Sequence, residues 1–204
     1  SVANLILNAS EKVDIKGWDK VNSQLVENEM DMPKPYTKIY RTNAALLCDA
    51  VDYLSEGRSV HLEIDFKDLI KSIDSAVALK EGRMKDVKHD MFISCVDWED
   101  AKREMEFNHE LARIVKMVID GSYVNVLEVL SGYKRPANPD ILMITAHKSK
   151  GLEWENVVIA NDFPAVYDEG EYAWDEQERN LSYVAHTRAK KMLCVGACVT
   201  EIEE

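Results

Sequence analysis

The chain has 204 residues, of which 46% are hydrophobic and 30% charged, with a formal net charge of −12. That apolar content supports one sizeable core and excludes global disorder. The negative charge repels nucleic acid at long range, so any DNA contact must come from a local groove or a partner polypeptide.

No apolar run approaches the length of a membrane-spanning helix, and no signal or transit pattern opens the chain. Cys48, Cys95, Cys194 and Cys198 form no C-x-x-C pair and no zinc set. Together these features predict a reduced, intracellular (cytoplasmic) setting and no membrane partner.

In chain order, SVANLILN has helical spacing with no cap, and a polar stretch follows it. Pro33 and Pro35 mark a loop before YTKIY, an alternating strand over 36–40. Thr42 or Asn43 can cap the next helix, which Gly57 stops. SVHLEI reads as a short strand, and Asp65 opens a helix through about Leu79. From Glu81 to Pro139 the pattern is helical and strongly charged, with its longest periodic run from Trp98 to about Ile119 and a short helix over 124–130. A strand over 141–145, a polar loop, a strand over 156–160, a helix over about 175–190 and a strand over 192–196 complete the pattern. Strands alternating with helices predict an α/β fold with a largely parallel sheet covered by helices. Ligands of such sheets collect beyond the carboxyl ends of the strands, where Thr145 is expected.

Three segments carry groups suited to chemistry. In TAHKSKGLEW, Thr145, His147, Lys148, Lys150, Gly151 and Glu153 fall within nine positions. Gly151 permits a tight turn, the lysines offer positive charge, and Glu153 is an acceptor suited to a ribose hydroxyl. A solvated turn with scattered charges reads equally well. In ERNLSYVAHTRAKK, Leu181, Val184, Ala185 and Arg188 share one helical face. Arg188 there either satisfies carbonyls at the helix C-terminus or reaches a phosphate with its planar fork. In YRTN, Arg41 and Asn43 follow a strand, where they form either an anion contact or a helix start with a surface arginine. There is no G-x-x-x-x-G-K-[ST] loop, no G-x-G-x-x-G fingerprint, no acidic strand end for magnesium and no Ser-His-Asp ordering. Groups fit to touch a nucleotide are present without the machinery to bind and split one.

Taken together, the three segments resemble the second half of superfamily 1 DNA helicases of the UvrD/Rep/PcrA type. TAHKSKGLEW resembles motif V (T-x-H-x-x-K-G-L-E-[FW]), ERNLSYVAHTRAKKML resembles motif VI (E-x-x-L-x-Y-V-x-x-T-R-A), and YRTNAALL resembles the segment opening Y-R-[ST]-N. The middle helical run and NLSYVAHTRAKK look closest to the F-box DNA helicase branch. The resemblance implies a RecA-like domain of the P-loop NTPase type, the 2A domain, over 1–80 and 140–204. A small helical insertion over 81–139 would be a reduced 2B-like subdomain, its acidic residues ill suited to duplex DNA.

The same resemblance implies an ATP-dependent 3′–5′ helicase that grips single-stranded DNA, works with its own N-terminal RecA-like domain, and begins just downstream of motif IV. ATP and Mg2+ are the implied cofactors, with Mg2+ held by the N-terminal domain. Arg188 would be the catalytic arginine finger. Glu153, Gly151 and Lys150 would serve the nucleotide, and Arg41, Asn43, Thr145 and His147 would touch DNA. Ala165 replaces a histidine that some relatives carry. A helicase-like binding module without motor activity and the helicase part of a RecB-like nuclease-helicase are the competing readings.

Overall fold

The computed structural model describes residues 24–163, 167–168, 171–172 and 176–195. The helix expected over 1–8, Ala165 and Cys198 lie outside them. By internal contacts the chain divides into two compact units, one of 1–41, 58–63 and 136–204 and the other of 42–57 and 64–135.

The first unit is built on a six-stranded sheet of β1 (Gln24–Val26), β2 (Tyr36–Tyr40), β3 (Val60–Glu63), β4 (Ile141–Thr145), β5 (Trp154–Ile159) and β8 (Ala189–Cys194). β6 (Tyr167–Asp168) and β7 (Glu171–Tyr172) pair separately as an antiparallel hairpin. The order in the large sheet is β1-β8-β5-β2-β4-β3, and every pairing is parallel. Tyr36 lies opposite Ile141 and Tyr40 opposite Thr145, while Thr37 and Ile39 face Val157 and Ile159. The carboxyl ends of β2, β4 and β5 therefore share one edge of the sheet.

β2 is buried at every position, as a central parallel strand should be. Ile39 packs with Ile144, Val157, Ile159, Phe163, Ala185 and Leu193. The alternate residues are polar and need partners: Glu29 accepts from the Tyr36 hydroxyl at 2.7 Å and from Lys38 Nζ at 2.8 Å. Lys38 also lies 5.5 Å from the centre of the Tyr40 ring. A lysine can stay in a buried strand because its charge is paired.

Two short helices belong to this unit, α7 (Ala146–Ser149) and α8 (Glu176–His186), and α8 sets Leu181, Tyr183 and Ala185 into the sheet's core. The helical spacing over about 175–190 predicted a longer α8 and a later strand. In the structure the helix ends at His186, and Ala189 already pairs with Trp154 in the sheet. Pairing with a neighbouring strand overrides the helix propensity of Ala189 and Lys190. The polar stretch before Pro33 likewise contains β1, whose three residues pair with Met192, Leu193 and Cys194.

The second unit is helical: α1 (Asn43–Ser55), α2 (Phe66–Lys80), α3 (Asp90–Ile93), α4 (Trp98–Glu104), α5 (His109–Asp120) and α6 (Tyr123–Gly132). Thr42, not Asn43, caps α1, its hydroxyl accepting from the Ala45 N–H at 3.1 Å. Asp65 caps α2 by accepting from Lys67 and Asp68. The single run expected from Trp98 to Ile119 is two helices, because Asn108 accepts from the Leu111 N–H and starts a new one. Leu47, Ile73, Phe92, Leu111, Ile114 and Val115 form one core. Helices α1 and α2, grouped with the sheet in the sequence reading, thus share a core with residues of 92–126. With its six-stranded parallel sheet and eight α-helices among the described residues, the fold is α/β and consistent with a RecA-like domain.

His186, at the end of α8, is buried and meets Phe163 edge-on at 6.4 Å between ring centres. Its Nδ1 lies 2.8 Å from the Ser182 carbonyl and donates to it, while Nε2 is buried with no partner among the described residues. Burial lowers its pKa to about 4, against the opposing effect of the Ser182 bond. An unfolded histidine titrates near ~6.5. Between those values the unfolded chain holds more protons, so stability falls as pH drops from about 6.5 toward about 4. Urea unfolding at pH 7 and pH 5 should show the unsubstituted chain losing about 2 kcal/mol more than His186→Phe over that interval. Parallel losses in the two chains would contradict this account.

Candidate functional site

The expected site residues in the sheet-bearing unit fall at two opposite edges of the sheet. At the amino edge, Ser149, Lys150, Gly151 and Leu152 form a tight turn. Lys150 has φ −59° and ψ 125°, Gly151 has φ 82°, and the Leu152 N–H donates to the Ser149 carbonyl at 3.0 Å. Those are type II turn angles, which require a residue tolerant of positive φ at the third position. The turn delivers Glu153 to the start of β5.

Arg188, just beyond α8, meets the same place. Its carbonyl accepts from the Trp154 N–H at 3.0 Å, and its Nη1 donates to the Leu152 carbonyl at 3.1 Å. Nε donates to the Val184 carbonyl at 2.7 Å and Nη2 to the Thr187 hydroxyl at 2.8 Å. Of the two tasks open to Arg188 from its sequence, this geometry displays the capping of a helix end. It also brackets Glu153 from both sides, so the guanidinium and the carboxylate stand at one edge.

Lys190 reaches the Glu153 carboxylate at 3.2 Å, with both side chains 55% exposed. An exposed pair of this kind contributes little stability, and a competing ligand can open it. The register slips by one residue in β8 between Ala189 and Met192, which is a β-bulge. Lys190 and Lys191 sit in it and pair with Glu153 and Glu155. Lys190 is a site neighbour that helical spacing concealed, because the residue was read inside a helix.

At the carboxyl edge, Arg41 follows β2 directly. Its N–H donates to Asp162 Oδ1 at 2.9 Å, and its Nε and Nη2 grip both oxygens of Glu178. The pair is mostly buried, at 19% and 16% side-chain exposure. Thr145 ends β4 and is buried, while His147 on α7 is exposed. Loss of hydration on its inner side and then the Arg41 cation lower the His147 pKa, with Glu178 opposing them. Lys148 Nζ donates to the Glu63 carbonyl at 3.2 Å.

The sequence reading set Thr145 through Glu153 at a carboxyl end as one cluster; the structure separates its two halves across the length of the strands. Asn43 belongs to the helical unit, where its N–H donates to Glu110 Oε2 at 3.0 Å and its Oδ1 is buried with no hydrogen bond among the described residues. Glu178 and Asp162, the acids that hold Arg41, were missed. Glu178 is the first residue of the E-x-x-L-x-Y-V-x-x-T-R-A segment that also carries Arg188, and that is the sequence signal for it.

A family model described as the UvrD-like helicase C-terminal domain matches residues 5–200. The chain belongs to this family. F-box DNA helicase protein 1 of Schizosaccharomyces pombe is 31% identical to it over 188 residues, covering 82% of this chain and 21% of that protein. F-box DNA helicase 1 of Gallus gallus is 43% identical over 70 residues, covering 29% of this chain and 7% of that protein. The chain thus spans about a fifth or less of the length of these relatives.

Gly151 has open space where a Cβ would sit, so only the left-handed backbone opposes substitution. Gly151→Ala should destabilise the chain by about 1–2 kcal/mol in urea unfolding, and Gly151→Asn by less. An alanine variant as stable as the parent would show that the turn tolerates a different backbone.

Proposed function

We propose that this chain is the C-terminal motor part of an ATP-dependent 3′–5′ DNA helicase, completing the ATP site and gripping single-stranded DNA. The observation that carries this reading is the separation of the two groups by the parallel sheet. Arg188 and Glu153 stand together at the amino edge, while Arg41, Thr145 and His147 stand at the carboxyl edge. One edge would face a nucleotide held mainly by the protein's own N-terminal RecA-like domain, and the other would face the strand.

At the amino edge Arg188 would release the Leu152 and Val184 carbonyls and donate to γ-phosphate oxygens, acting as the arginine finger. Glu153 would leave Lys190 and accept from a ribose hydroxyl, in a position fixed by the Gly151 turn. Lys150, exposed within that turn, would link the facing surfaces of the two domains. Arg188 and Glu153 would close on the bound nucleotide and be let go once it is hydrolysed. Among the described residues no three His, Cys, Asp or Glu side chains converge as metal ligands. By the family resemblance Mg2+ would be held by the N-terminal domain, and no step on this chain passes through it.

At the carboxyl edge Arg41 and His147 would meet the sugar-phosphate backbone, with Thr145 at the end of β4 beside them; Asn43, in the helical unit, would touch DNA on its own account. Such contacts read no base and suit translocation along any sequence. By the family resemblance, residues 1–80 and 140–204 would form the 2A domain and 81–139 a reduced 2B-like insertion. A DNA motor works where DNA is, inside the cell, and no described helix is long and apolar enough to cross a membrane.

The test is made in the full-length protein that carries this chain. Arg188→Ala should lower DNA-stimulated ATP turnover by about 10³-fold or more while nucleotide affinity stays within a few-fold. Turnover within tenfold of the parent would remove the finger role. The isolated 204-residue chain should hydrolyse no ATP and bind single-stranded DNA weakly, with affinity falling steeply as salt rises. Tight binding insensitive to salt would favour a dedicated binding module instead.

A further inference from the structure

Arg41 and Glu178 are 137 positions apart in sequence, yet they form a bidentate, mostly buried pair. Arg41 is anchored at its backbone as well, through Asp162 in the turn after β5. Glu178 lies in the first turn of α8, where the helix dipole favours a carboxylate. The same helix then runs back along the sheet, held by Leu181, Tyr183 and Ala185 in the core, and ends at His186 with Arg188 just beyond. From Glu178 to Arg188 the chain covers about 15 Å at the rise of an α-helix. One rigid element therefore touches the group expected to meet DNA at its first turn and the group expected to meet phosphate just past its last.

We infer that Glu178 is a positioning residue that couples Arg41 at the carboxyl edge of the sheet to Arg188 at the amino edge, through α8. A guanidinium held by its Nε–Nη2 edge cannot change plane without its carboxylate. A displacement of α8 when Arg188 exchanges the Val184 and Leu152 carbonyls for another acceptor is thereby passed to Arg41. The reverse holds too, since a coupling between two sites acts in both directions. Thr187 strengthens the far end of the rod, its hydroxyl donating to the Tyr183 carbonyl at 2.9 Å with the Val184 carbonyl 3.1 Å away. This inference rests on the helicase reading, and it adds a residue and a route to it.

The experiment uses the full-length protein and measures ATP turnover against single-stranded DNA concentration. Glu178→Gln keeps the size of the side chain but removes its charge and one acceptor. The factor by which DNA stimulates turnover should fall about tenfold, within the range usual for coupled sites. Arg41→Ala should act through the same link, so the double variant should lose no more than the worse single one. Stimulation within twofold of the parent in Glu178→Gln, or losses that multiply in the double variant, would overturn the coupling role. Lowered thermal stability with unchanged stimulation would also overturn it, by assigning the pair to folding alone. Should Glu178→Gln fail to fold, Glu178→Asp retains the charge, shortens the reach by one carbon, and is read by the same measure. An unsubstituted protein whose turnover ignores DNA would instead count against the helicase reading itself.

Discussion

The constraint on which the sheet-bearing unit depends is that parallel strands all point one way, so every connection must travel back to the edge where the next strand begins. Between β4 and β5 the return is made by α7 and the type II turn at Lys150 and Gly151. Before β8 it is made by α8. Each return path starts near the carboxyl edge and ends at the amino edge. A segment whose polar residues adjoin in sequence is thereby stretched along the sheet, and its first and last members serve different surfaces. His147 and Glu153 are six positions apart and stand at opposite edges of the sheet for this reason.

The charged side chains follow from the same geometry. An acidic chain has few cations to spend at a site, and here the important ones are held by local acceptors. Arg41 is clamped by Glu178, Lys38 by Glu29, and Lys190 is set beside Glu153 by the bulge in β8. Their burial differs, and so does the effect of each pair. The Lys190–Glu153 pair is open to water and can exchange for another ligand at small cost. The Arg41–Glu178 pair is largely shielded, and separating it would strand charge in a poorly hydrated place. One is an exposed pair that can exchange, and the other is part of the unit's frame.

His186 shows how apolar packing and the site meet. Its ring fills the space against Phe163 and donates once to Ser182, which fixes the last turn of α8 two residues before Arg188. A neutral, buried imidazole there holds the helix end without adding charge near the guanidinium. In the helical unit the comparable work is done by caps: Thr42, Asp65, Asp97 and Asn108 each accept from the first turn of a helix. Short helices of strongly charged sequence are given definite starting points in this way.

Local signals in the sequence determined much of this protein. Strand β2 and strand β4, the start of α2 at Asp65, the stop at Gly57 and the turn at Gly151 all follow from patterns spanning a few residues. The motif residues were legible as well, because TAHKSKGLEW, ERNLSYVAHTRA and YRTN each keep their chemistry in one short segment. Tertiary structure alone decided what depends on distant partners. It ended α8 at His186 because Ala189 pairs with Trp154, and it built β1 from a polar stretch because β8 offered a ladder. It divided the long helical run at Asn108, gave α1 and α2 a core shared with 92–126, and closed Glu178 on Arg41 across 137 positions. Periodicity and turn chemistry are short-range and can be read along a chain, whereas strand pairing and charge pairing are settled only when the sheet has formed.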